Sequence, residues 1–265
     1  MSHMATHKPQ KTPGFDLLLA FITAVRFLTI VPVPWHSDAD QEYFAKSLVF
    51  FPLVAVLIGA GGWLVAMICT SVFPGPVTAF ILLVYLSVIS GFLHLDGLAD
   101  SADGLLSHRP AAQALEIMRD SRVGAMAVIV LLFLLLGKYS ALISIPGSNL
   151  PAVMMVTPVA GRAAILLLMA FFPWARKEGL GQLFASRHTL GTAMAAFFLL
   201  AVLGMVLVSF LAAIMLVLVT GVVAISFGFY CTRRFGGVSG DILGAVCEGT
   251  ELLVMLAFSA AFTLL

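Results

Sequence analysis

Charge is what this chain has least of. Asp, Glu, Lys and Arg make up 10% of its 265 residues, against 61% hydrophobic residues. Mean hydropathy is +1.10. A soluble domain cannot keep its surface wet with that balance, so the composition implies an integral membrane protein. Basic excess is missing too: the formal net charge is +1 and the pI near 7.8. That excludes the electrostatic footprint of a nucleic-acid-binding protein. Cysteine is scarce, with Cys69, Cys231 and Cys247 far apart and mostly in apolar segments. They form no CxxC pair, which argues against a zinc site or a disulfide framework. P-loop, GxGxxG, GxSxG and HExxH patterns are all absent.

What is present is apolar runs of membrane length. The first four residues, MSHM, read as a cloning remnant, and residues 1–14 as a disordered N-terminus. Residues 15–265 read as a single transmembrane catalytic domain. The run 15–31 carries Arg26 at its middle and no small-residue cleavage site after it, so it reads as interfacial or re-entrant rather than as a signal peptide. Seven spans are expected after it, at 48–70, 74–94, 124–144, 151–172, two within 190–230 with a bend near Ser209, and 242–265. The fold class expected is therefore an all-α polytopic membrane protein of about seven transmembrane helices plus an N-terminal interfacial or re-entrant helix. Gly59, Gly61 and Gly62 in the first span would permit close helix packing.

Lysine and arginine are missing from one set of loops. Under this map the segments 32–47, 95–123, 173–189 and 231–241 share one side. They hold Lys46, Arg109, Arg119, Arg122, Arg176, Lys177, Arg187, Arg233 and Arg234, while the opposite loops hold no lysine or arginine. The positive-inside rule makes the charged side cytoplasmic.

Acids are equally uneven. Apart from Glu116, the only acids between Glu42 and Glu178 are Asp96, Asp100, Asp103 and Asp120, within GFLHLDGLADSADGLLSHRPAAQALEIMRDSRVG. Asp96, Asp100 and Asp103 are spaced i, i+4, i+7, one face of a helix. Carboxylates so close repel one another unless a cation sits among them. Mg²⁺ suits a few carboxylates plus substrate phosphate oxygens, so these four aspartates are the metal candidates. Gly97 and Gly104 leave room for a bulky phosphate. Arg119 and Arg122 bracket Asp120, and guanidinium forks suit a diphosphate; the other loop cations also serve as membrane-surface anchors. His94 could be a ligand, a base or a helix-end contact.

A second motif, GGVSGDILGAVCEGTE, spans Gly236 to Glu251. Asp241, Gly244, Glu248 and Glu251 fall on one helix face entering the membrane, behind the permissive glycines Gly236, Gly237 and Gly240. Intramembrane Glu248 and Glu251 are functional candidates by default. The plainer alternative is that they pair with Arg26, Lys138 or Arg162 as internal struts. Asp241 could equally be a helix N-cap.

These stretches, with the early VRFLTIVPVP and FFPLVAVLIG, resemble in order the cobalamin-5'-phosphate synthase (adenosylcobinamide-GDP ribazoletransferase) family. The resemblance covers nearly the whole chain. It implies a Mg²⁺-dependent enzyme of the bacterial inner membrane, with its site facing the cytoplasm. It would join adenosylcobinamide-GDP to α-ribazole or its 5'-phosphate and release GMP. Catalytic candidates are Asp96, Asp241 and His94; substrate contacts would fall to Arg119, Arg122, Glu248 and Gly240. Expected partners are the two substrates and the lipid bilayer, with no nucleic acid, and a homo-oligomer is left open. A fainter similarity runs to the CDP-alcohol phosphotransferases, whose D-x-x-D-G matches Asp100, Asp103 and Gly104. Their next Asp falls near Asp120, but their last, usually taken as the base, is replaced here by Gly124, and their Ala-Arg pair is missing. Two other readings are such a lipid-synthesis phosphotransferase and an ion-coupled transporter, which would use Glu248, Glu251, Lys138 and Arg162 as relays.

Overall fold

The structure is a computed structural model describing residues 13–33, 40–175 and 189–263. Eleven helices carry these residues: α1 (Pro13–Leu28), α2 (Asp40–Ser47), α3 (Phe51–Val72), α4 (Gly75–Ile89), α5 (Leu93–Leu106), α6 (Ala111–Ile117), α7 (Ala125–Ser144), α8 (Leu150–Phe171), α9 (Thr189–Leu207), α10 (Phe210–Phe235) and α11 (Gly240–Thr263). Local chemistry sets several of their ends. Proline opens α3, α4 and α8, where the missing N–H costs nothing. Ser209 caps α10, accepting from the Ala212 N–H at 3.1 Å, so the apolar stretch 190–230 divides near Ser209 as expected. Gly236, at φ 81°, closes α10 in the left-handed conformation glycine adopts freely.

Among the described residues, six helical stretches are long and apolar enough to cross a bilayer, and a bent pair, α4 with α5, could make a seventh. The all-α polytopic class holds. The expected span at 74–94 is the one that changes. Its helix stops at Ile89 after 15 residues, and the chain turns by 86° into α5. Consecutive left-handed residues, Gly91 at φ 58° and Phe92 at φ 59°, make that turn. Helix α1, at 16 residues, falls short of a span by length.

Helix α8 is the central post, with 89% of its most apolar 18-residue stretch buried. Gly59 brings α3 onto it so closely that an added Cβ would lie 2.3 Å from the Met155 carbonyl oxygen, the close approach that small residues permit. Around it the outer helices turn apolar side chains outward, as Phe198 (72% exposed) and Leu211 (74%) illustrate. This is the pattern of a surface solvated by lipid rather than by water.

Several polar connections meet at one end of the bundle. The Ala175 N–H donates to the Val238 carbonyl (2.8 Å), and the Val238 N–H to the Pro173 carbonyl (2.8 Å). Arg234 donates to the Arg109 carbonyl, and the Ile30 N–H to the Ile89 carbonyl (2.9 Å). Three of the four loops assigned to one side by charge, 95–123, 173–189 and 231–241, thus touch one another. Arg176, Lys177, Arg187, His188 and residues 1–12 lie outside the described residues.

Candidate functional site

Helix α5 carries the Asp-rich motif in the register its spacing demands. Asp96 stands in its first turn, exposed, while Asp100 and Asp103 are half-buried behind it. Helix α11 packs across α5 at two glycines. An added Cβ on Gly97 would sit 2.9 Å from the Asp241 carbonyl oxygen, and one on Gly244 would sit 2.9 Å from the His94 carbonyl oxygen. No larger residue would let the two backbones come so near, so the two sequence motifs become one site through these glycines.

A cavity of about 190 Å³ opens at that crossing. His94, Asp96 and Gly97 of α5 and Gly240, Asp241 and Gly244 of α11 form one wall, and Phe27, Phe51, Ile165, Met169 and Trp174 are among the others. Both helices begin here, at Leu93 and Gly240, so both positive dipole ends face the cavity region. His94 is 5% exposed, and its Nε2 has no hydrogen-bond partner. A buried orphan nitrogen is costly to leave unmet, which suits a side chain that meets a ligand. Asp241 stays close to Ser239, whose hydroxyl lies 3.3 Å from Oδ2.

Asp103 is built in differently. Its Oδ2 accepts the Gly124 N–H at 2.7 Å and its Oδ1 the Ala127 N–H at 2.9 Å. It therefore caps the N-terminus of α7 from another helix and meets two of the donors every helix start leaves orphaned. The same contact accounts for Gly124: an added Cβ there would fall 2.4 Å from Asp103 Oδ1. An Asp at this position, as in the CDP-alcohol pattern, would be excluded by the carboxylate already seated there.

Asp120 lies in the loop before α7. Its carboxylate takes the Arg122 Nε at 3.0 Å and the Arg122 backbone N–H at 3.1 Å. These bonds hold its pKa down to about 2. Arg119 is exposed nearby. Among the described residues, no group of three or more His, Cys, Asp or Glu side chains is close enough to cage a metal ion. Asp96 and Asp241 share the cavity, and Asp103 keeps spare lone pairs after capping α7. The two carboxylates on the cavity, Asp96 and Asp241, are of the hard-oxygen type that Mg²⁺ takes when substrate oxygens supply the remaining ligands.

Glu248 and Glu251 lie deeper, in a closed ionic group. Lys138 of α7 donates to Glu248 Oε2 at 2.6 Å and to Glu251 Oε2 at 2.7 Å. Arg162 of α8 donates to Glu251 Oε1 at 2.6 Å and to the Ser90 hydroxyl at 2.7 Å. The four charged residues are 2–6% exposed. Of the two readings open from sequence, the strut geometry is the one the side chains adopt, with Lys138 and Arg162 as the cations. Gly161 makes room for it, since an added Cβ would lie 3.1 Å from Glu251 Cγ. Sequence reasoning missed Ser90, a serine in an apolar run. It also missed the aromatic walls at Phe27, Phe51 and Trp174, which look like ordinary membrane residues.

The family model described as cobalamin-5-phosphate synthase matches residues 20–259. A protein of Clostridium tetani named adenosylcobinamide-GDP ribazoletransferase is 33% identical over 241 residues, 91% of this chain and 96% of that protein. One of the same name from Citrobacter koseri is 35% identical over 245 residues, 92% and 98% of the two chains. One from Escherichia coli (strain K12 / DH10B) is 34% identical over 241 residues, 89% and 98%. No solved structure matches significantly. With a family match across nearly the whole length and relatives similar from end to end, this chain belongs to the cobalamin-5-phosphate synthase family.

Proposed function

We propose that this protein transfers the cobinamide-phosphate group of adenosylcobinamide-GDP to α-ribazole or its 5'-phosphate, releasing GMP. Family membership supports the reaction. The observation that carries the site is the Gly97–Gly244 crossing, which sets Asp96, His94 and Asp241 on one cavity. A ribose hydroxyl of the acceptor attacks the phosphorus bonded to cobinamide. The new P–O bond forms as the bond to the bridging diphosphate oxygen breaks, and that oxygen leaves on GMP. The hydroxyl proton passes to a base, for which Asp96, Asp241 and His94 are the candidates. His94 brings an uncommitted nitrogen, and Asp96 forms no salt bridge with a described residue.

Mg²⁺ is the proposed cofactor, with Asp96, Asp100, Asp103 and Asp120 as the carboxylates that would hold it. When bound, it would neutralise charge gathering on the diphosphate. Arg119 and Arg122 are proposed to steady the same group. The N-termini of α5 and α11 favour negative charge on their own. Gly240 opens α11 without a side chain to block approach. Glu248, held by Lys138, is proposed to support the site through the packing of α11 rather than by touching substrate. The polar end of the bundle is proposed to face the cytoplasm across a bacterial inner membrane, on the charge asymmetry of the loops.

Purified protein in detergent should release GMP from adenosylcobinamide-GDP only when α-ribazole or its phosphate is added, and only with Mg²⁺. Release of CMP from a CDP-alcohol, or no product at all, would overturn the reading.

A further inference from the structure

Helices α5 and α11 border a second space, away from the cavity. Further along both of them, a groove of about 380 Å³ runs between them, α7 and α10. Leu105, Val130, Phe227 and Gly249 lie along it, and Leu106 and Tyr230 stand at its exposed edge. No charged residue lines it. Three observations mark it as a built site rather than a gap between lipid-facing side chains.

Gly249 is the first. It stands inside a membrane helix, where glycine weakens the helix itself. At Gly97 and Gly244 a neighbouring backbone explains the missing side chain, but a Cβ added to Gly249 would meet no atom within 4 Å. Here the missing side chain widens the groove instead of admitting another helix. Ser101, which also lines the groove, is the second. It is 1% exposed, and its hydroxyl has no hydrogen-bond partner. Helical serines can bond to the carbonyl one turn back, and a buried hydroxyl left unmet is costly. Third, the groove ends at two cations. Val223, Phe227, Tyr230 and Arg234 follow one face of α10 at i, i+4, i+7 and i+11. Arg234 donates to the carbonyl of Arg109, which follows Leu106 at i+3. Neither arginine has a carboxylate partner among the described residues.

Depth and charge together select the occupant. From Val223 to Arg234 is about 16 Å of helix, and one leaflet's half of a hydrocarbon core is about 15 Å. An acyl chain runs that depth. We propose that this groove holds one membrane phospholipid with an anionic headgroup. Its acyl chain lies over Gly249 and against Phe227, the Ser101 hydroxyl donates to an ester carbonyl, and the phosphate sits beside Arg109 and Arg234. A zwitterionic headgroup brings its own cation to that place and gains less from the arginines. The lipid becomes part of the packing of α5, the helix that carries Asp96, Asp100 and Asp103, and ties that helix to the leaflet at the polar end of the bundle.

The test is to strip the protein of lipid in detergent and titrate it with phosphatidylglycerol or phosphatidylcholine of the same acyl chains. Native mass spectrometry reads the first lipid bound. Wild-type protein should bind phosphatidylglycerol about tenfold or more tightly than phosphatidylcholine, the scale that two arginines give near anionic lipid. Gly249→Leu fills the groove with little risk to folding, since no atom stands within 4 Å and leucine suits a helix better than glycine. It should weaken phosphatidylglycerol binding about tenfold, with the unfolding midpoint of the lipid-free protein level or higher. Arg234→Gln should bring phosphatidylglycerol to within about twofold of phosphatidylcholine, and Ser101→Ala should weaken both lipids alike. Equal binding of the two lipids by the wild type, or undiminished binding by the Gly249→Leu protein, overturns the site. A dimer in lipid-free detergent that Gly249→Leu converts to a monomer overturns it too, and makes the groove a contact between copies of this chain. None of these readouts depends on turnover, so the lipid site and the functional reading above fail separately.

Discussion

Glu248 and Glu251 on α11 and Asp96 and Asp103 on α5 belong to helices that pack against each other, yet their charges are handled in different ways. The two glutamates meet Lys138 and Arg162 within 2.7 Å, in a group of two cations and two anions almost sealed from solvent. Asp96 forms no salt bridge with a described residue, and Asp103 is met by neutral backbone amides. The first arrangement balances its own charges and ties α7, α8, α11 and the α4–α5 turn together. The second leaves negative charge at the polar end of the bundle for something else to balance. A buried charge that finds its partner within the chain reads as architecture; one held ready without a chain cation reads as a place for an incoming cation or ligand.

The sharpest way to break this contrast is inside the bundle. Glu251→Gln strands Arg162 and shares Lys138 with a single glutamate. Removing one partner of a buried pair costs about 3–5 kcal/mol, so thermal unfolding in detergent should show a large loss of stability. The paired replacement Lys138→Met with Glu248→Leu should be much milder than Lys138→Met alone. Equal damage from both would mean that the pairing is not what the residues contribute.

The opposite pattern is expected on α5. Asp100→Ala should cut turnover by about 10²–10³, the range for losing one electrostatic contributor to a transition state, with unfolding little changed. Near-normal activity would remove Asp100 from the site. Asp103→Ala should abolish turnover while the protein still inserts and folds. It should also lose about 0.5–2 kcal/mol, because a helix cap goes with it. Activity loss without any stability loss would contradict the capping role.

Gly97→Ala tests the crossing itself. A methyl group 2.9 Å from the Asp241 carbonyl oxygen must push α5 and α11 apart, at about 1–3 kcal/mol. Turnover should fall by about tenfold, on the scale expected when reacting groups are displaced by a fraction of an ångström.

The smallest effect on stability belongs to Asp120→Asn. Arg122 holds the Asp120 carboxyl at about 2, below the ordinary Asp value of 3.8. A depressed acid contributes stability above that ordinary value and loses it as pH falls toward the folded one. Both residues are well exposed (side chains 36% and 88%), where such pairs contribute little. The mutant's unfolding midpoint should lie only slightly below that of the wild type from pH 5 to 8, and the difference should vanish as pH falls from 3.8 toward about 2.

Much of this was legible in the chain. The i, i+4, i+7 aspartates mark a helix face, and α5 is that helix. The apolar stretch 190–230 is too long for one crossing, and Ser209 divides it. The break in 74–94 was not legible. Its residues are mostly apolar, and Phe92 enters the left-handed region that non-glycine residues avoid. Contacts from afar hold that turn: Ile30 N–H on Ile89 and Arg162 on Ser90. Gly124 was likewise unreadable as a departure from a related motif until the Asp103 carboxylate was seen beside it.

The sequence by itself determined that the protein lives in a membrane, which end carries its charges, and which two motifs hold its acids. Those follow from transfer free energies and helical periodicity, properties of residues counted along one chain. Only the tertiary structure decided which acids are paired and which face a cavity. That depends on where glycines let two helices touch, and on which distant cation, amide or aromatic ring the crossing brings within reach.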